Sequence, residues 1–153
     1  MELNKDKKNP PVLEYTILAA IIIAASLFIF QVARGDIDTA RAIFKDLTNG
    51  RYSVQRHIGW EQLKGLDINV GATYSSFATG KEKNGYKKAF IRHFSSGFKS
   101  FGGDYKSFVN WRIDSKAANQ VVVAADYSGH NRTLLLTLSG TWRKKLSSLQ
   151  WKQ

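Results

Sequence analysis

The chain has 153 residues, a formal net charge of +11 and no cysteine. That is room for one domain and a short extra segment, without disulfides, thiolate nucleophiles or thiolate metal ligands. Its 43% hydrophobic and 12% aromatic content excludes an intrinsically disordered chain.

The first element in chain order is apolar. From Tyr15 to Ala33 no residue is charged, and at 1.5 Å per residue such a helix reaches about 28 Å, near the ~30 Å hydrocarbon core. Pro10 and Pro11 suit its start. The expectation is a short tail (1–14), a single-pass transmembrane signal-anchor helix (15–34) and an extracytoplasmic, periplasmic domain (36–153). Lys5, Lys7 and Lys8 precede the span and only Arg34 follows closely. The positive-inside rule then sets the N-terminus in the cytoplasm, here of a bacterium, with the span in its inner membrane. The rival is a cleaved signal peptide ending near Ala33-Arg34-Gly35, against which the apolar run is long. Leu13-Glu14-Tyr15 entering an apolar helix resembles the start of small type IV pilins, although the glycine before their processing site is absent.

The domain opens with a helix over 36–49. Asp36 and Asp38 suit its first turn, Ala40, Ile43, Phe44 and Leu47 share one face, and Asn49-Gly50 stops it. Residues 52–77 read as two or three short helices broken by Gly59, Gly65 and Gly71, and 78–84 as a polar loop. A long helix over 82–101 repeats Tyr86, Phe90, Phe94 and Phe98, with Phe101 continuing the face and Gly102-Gly103 ending it. This ladder is expected to hold the domain together, so that Phe94→Ala comes close to unfolding it. Lys87, Lys88, Arg92 and Lys99 lie opposite.

Strands follow. In 105–114, Tyr105, Val109, Trp111 and Ile113 share a parity; 120–127 is apolar on both sides; 132–138 alternates through Leu134, Leu136 and Leu138; and 142–151 closes with Leu146, Leu149 and Trp151. Residues 128–131 and 139–140 are hairpin turns. The fold class is therefore α+β: an N-terminal transmembrane helix, then about three helices packed on a four-stranded antiparallel curved sheet.

This element order, the aromatic third helix and the final Trp142-Arg143-Lys144-Lys145-Leu146 strand resemble the nuclear transport factor-like, cone-shaped α+β superfamily over roughly 36–153. The plan of tail, span and cone-shaped domain is similar to the inner-membrane scaffold subunit of type IV secretion systems. Isomerase-type members of the superfamily need a carboxylate base and a Tyr or acid donor inside the cone. The resemblance offers Asp114 or Asp126 with Tyr74 or Tyr127 for these roles.

The pocket candidates are thus His93, Asp126, Tyr74 and Tyr127, with His93 beside the aromatic ladder and His130 in a solvated turn. The histidines lack metal-ligand spacing, so neither a metal nor a cofactor is expected. Lys81, Lys83, Lys87 and Lys88, with Arg143, Lys144 and Lys145, form a basic surface suited to membrane lipid headgroups or an acidic protein partner. Nucleic acid is disfavoured for an extracytoplasmic domain. The leading functional expectation is a non-catalytic, membrane-anchored interaction domain, a small subunit or assembly factor of a bacterial envelope complex. The alternatives are a small-ligand or isomerase/hydrolase-like pocket protein, and a pilin-like subunit. An open apolar cavity containing Asp126 or His93 would favour the pocket protein.

Overall fold

A computed structural model describes the backbone of residues 12–65 and 68–152, and side chains over 16–27, 35–65 and 68–152. The chain divides into two compact units, Met1–Arg34 and Gly35–Gln153. Helix α1 covers Val12–Thr48.

Among the described residues no helix is long and apolar enough to cross a membrane. This overturns the expected transmembrane signal-anchor, and with it the single-pass inner-membrane placement of the chain and of a periplasmic domain. Helix α1 does not stop where the apolar run ends but continues as far as Thr48. The same helix includes Asp36, Asp38, Arg41 and Lys45. Lys5, Lys7, Lys8 and the two prolines lie outside the described residues.

In the second unit, the end of α1 buries Ala40, Ile43, Phe44 and Leu47 as their spacing requires. Asp36 is not a capping residue, because α1 begins at Val12. It is buried instead, and its carboxylate meets Lys144 and Lys116. A 3-10 turn over Tyr52–His57 is followed by β1 (Lys64–Gly65) and helix α2 (Val70–Ser76). The strand was not expected. Gly65 has φ 148°, and a Cβ there would lie 1.8 Å from the Leu149 carbonyl oxygen, so only glycine lets β1 approach the sheet.

Helix α3 (Gly80–Ser100) begins earlier than the expected loop allows. A capping box explains this: the Thr79 hydroxyl accepts from the Glu82 N–H at 3.2 Å, and the Glu82 carboxylate accepts from the Thr79 N–H at 2.9 Å. These contacts hold the Glu82 carboxyl below the usual carboxylate range, chiefly through the Thr79 backbone N–H. The other end is a Schellman turn, in which Gly103 N–H donates to Phe98 and Gly102 N–H to Lys99. The fully buried positions of α3 are Ile91 and Ser95, whose hydroxyl donates to the Thr48 carbonyl at 2.7 Å. Phe90, Phe94 and Phe98 are only half-buried, and Phe101 is 92% exposed. The aromatic ladder is real, with successive rings 6.2 and 6.5 Å apart, but it lies beside the core rather than in it.

The sheet adds β2 (Phe108–Ala117), β3 (Gln120–Tyr127), β4 (Arg132–Ser139) and β5 (Lys145–Trp151) in the order β1-β5-β4-β3-β2. The last four pair antiparallel, but β1 joins β5 in parallel, so the sheet is five-stranded and mixed, not four-stranded and antiparallel. Its inner face supplies Val121, Val123, Leu134, Leu136, Leu138, Leu146 and Leu149 to the core against α1 and Ile91. In β2 the register slips after Val109, and Asn110 sits at φ 53°. That bulge turns Val109 outward and Phe108 inward, against the expected parity. Trp142, expected to start the last strand, precedes it and is 97% exposed.

Candidate functional site

The stripe of α3 that carries Phe90, His93, Phe94, Gly97 and Phe98 follows i, i+3, i+4, i+7, i+8 spacing. It faces a cleft rather than filling it. On the far side stand Phe108 of β2, Tyr127 of β3, Arg132 of β4 and Trp151 of β5. The cleft measures about 890 Å³. An adjoining chamber of about 250 Å³ shares Ile68, His93 and Phe94 with it, and runs between Leu47, Leu63, Val70, Leu146 and Leu149. Both are walled mainly by hydrocarbon.

One wall is a stack of rings. Tyr127 lies 4.8 Å from Phe108 at an interplanar angle of 7°, and His130 covers it at 4.2 Å and 15°. Trp151 stands 6.1 Å from Tyr127, with the Arg132 guanidinium 5.9 Å above its ring. His130, exposed in its turn as expected, also borders the cleft. Gly129, at φ 79°, lets the turn fold His130 back over the strand.

The four pocket candidates separate. His93 and Tyr127 line the cleft. Asp126 does not, because consecutive residues of a strand point to opposite faces. It lies on the outer face, where Arg112 donates at 2.9 Å, Thr133 at 3.0 Å and Asn110 at 3.3 Å. These bonds, the Arg112 one first, hold its carboxyl below the usual range. Asp114 is likewise paired on the surface, with Lys152 at 2.8 Å. Tyr74 packs by Trp60, 5.9 Å away, and borders a different cleft. So the carboxylate–tyrosine pair that isomerase chemistry needs is not assembled from these residues.

The basic surface also divides. Lys87, Arg143 and Lys145 border the same cleft as Tyr74, and Lys83 lies 5.3 Å over the Tyr74 ring. Lys88 lies over Tyr52 instead, Lys81 is exposed, and Lys144 turns inward to Asp36. Among the described residues no group of three or more His, Cys, Asp or Glu could hold a metal ion.

Arg132, Trp151 and Gly97 belong to the cleft without having been expected there. The parity of Arg132 with Leu134 and of Trp151 with Leu149 was a readable signal. That α3 would leave a gap opposite them was not.

A scan against protein-family models finds no match for this chain. Comparisons with curated proteins and with solved structures likewise find none.

Proposed function

We propose that the Gly35–Gln153 unit is a non-catalytic binding module, a cone-shaped α+β domain of the nuclear transport factor-like kind, that holds a small apolar ligand. The order of elements, helices before four consecutive antiparallel strands, supports the cone-shaped reading. One observation carries the binding reading: aromatic rings from α3 and from the sheet stand on both sides of an open cleft of about 890 Å³. A ligand covering roughly 200 Å² of that surface would gain about 5 kcal/mol from burial, before the cost of its immobilisation. His93, His130 and Arg132 border the cleft, and no described lining residue is a carboxylate. That combination suits a ring-bearing molecule with an acidic group.

The test is a titration of the full chain with anilinonaphthalene sulfonate, an apolar ring system with one acidic group, followed by fluorescence. Saturable binding is expected. A Cβ at Gly97 meets nothing within 4 Å, so Gly97→Leu projects into the cleft without disturbing α3 and should weaken binding at least about tenfold, from lost ligand contact area. Unchanged binding in that variant would refute the proposal.

A second reading, recognition of a protein partner, is favoured by Trp142, which is 97% exposed. A partner that co-purifies with the native chain and is lost from Trp142→Ala, with dye binding intact, would carry that reading instead.

A further inference from the structure

A second cleft, of about 940 Å³, is bordered by the 3-10 turn, α3 and the turns at one end of the sheet. Its chemistry is opposite to that of the first. Arg56, Lys87, Arg143 and Lys145 line it, and Glu61 is the one carboxylate among its described lining residues.

None of these four cations has a carboxylate within ion-pair distance among the described residues, whereas Arg51, Arg112, Lys116, Lys144 and Lys152 all do. Other surface cations, Lys99 and Lys106 among them, are also without an ion pair; what sets these four apart is that they border one cleft together with a single carboxylate. They come from three separate parts of the chain, so no single run of basic sequence explains their meeting. Lys87 keeps its ammonium 5.5 Å over the Tyr74 ring, which fixes its position without neutralising it. Asn119 and Gln120 add amide donors.

We propose that this cleft binds a small compound carrying two or more phosphate groups. Four cations against one carboxylate leave a surplus of three positive charges, and two phosphates carry roughly three to four negative ones. Two guanidinium forks suit phosphate oxygens bidentately, and the lysines serve as point charges. This site is independent of the apolar cleft, and either can fail alone.

Calorimetric titration of the full chain with inorganic pyrophosphate tests it. Pyrophosphate should bind about tenfold or more tighter than inorganic phosphate, with affinity falling steeply as salt rises. Arg143→Ala and Lys145→Ala should each weaken binding about tenfold, while Lys99→Ala and Lys106→Ala, at exposed cations outside the cleft, leave it unchanged. If Arg143→Ala or Lys145→Ala lowers the melting temperature, Arg56→Gln and Lys87→Gln take its place with the same expectation. Three results overturn the proposal: no pyrophosphate binding, equal losses in all four alanine variants, or equally tight binding of citrate, which offers similar charge without phosphate.

Discussion

Asp36, in α1, accepts a hydrogen bond from Lys144, which lies 108 positions further along the chain. The carboxylate is 9% exposed and the lysine 19%. Lys116 reaches the second oxygen only at 3.6 Å, and that oxygen has no hydrogen bond. Removing Asp36 leaves a largely buried ammonium without a partner. Asp36→Ala should therefore destabilise by about 1–3 kcal/mol. Lys116→Ala should change stability by less than about 1 kcal/mol, because that lysine is exposed and its contact long. Denaturant midpoints of the two variants give the comparison.

The second prediction concerns helix α3. Ile91 is 2% exposed and sits in the core, whereas Phe94 is half-buried at the cleft. Ile91→Ala should cost about 2–5 kcal/mol. Phe94→Ala leaves a gap continuous with one already there, so its cost should stay below about 2 kcal/mol. A larger loss for Phe94 in urea melts would mean that the ladder, not Ile91, anchors the helix.

Two glycines of the same region should respond in opposite directions. Gly97 has open space at its Cβ position, so Gly97→Ala should stabilise by about 0.5–1 kcal/mol through helix propensity and a less free unfolded chain. At Gly103 a Cβ would lie 2.6 Å from the Phe98 carbonyl oxygen and 2.7 Å from its ring. Gly103→Ala should break the Schellman turn and lower the melting temperature.

Acid should weaken the fold through two named carboxylates. Asp126 is held below its ordinary value first by Arg112, and Glu82 first by the Thr79 backbone N–H. A depressed folded-state pKa means that the stabilisation is present above the unfolded values, about 4, and is lost as pH falls through the folded ones. Midpoints should thus be flat above about pH 5 and decline below about pH 4. Asp126→Asn should make that decline shallower.

Much of this fold was legible because its spacing was simple. Ala40, Ile43, Phe44 and Leu47 face the core as helical periodicity required, and β3 has the expected limits. Less legible were features decided by single residues. Asn110 at φ 53° reverses the parity of the start of β2. Lys64–Gly65 is too short to show any alternation, and its place comes from a close approach only Gly65 permits. At the candidate site, alternation alone could have separated Tyr127 from Asp126. The juxtaposition of His130 with Tyr127 depended on how the turn folds back. Hydropathy suggests a span at 15–34, but helix α1 continues through charged residues to Thr48.

The same bulge has a bearing on how copies of the chain meet. The sheet has two rims. One is β1, only two residues long, and the other is β2, ten residues long and free on one side. A regular ten-residue rim would present a template for strand-by-strand stacking into ribbons. Here the register slips twice along it, after Val109 and after Ile113, and Arg112, Asp114 and Lys116 stud the remainder. Neither rim offers an unbroken ladder of amide groups, so at high concentration the sheet itself is guarded against growing into fibres.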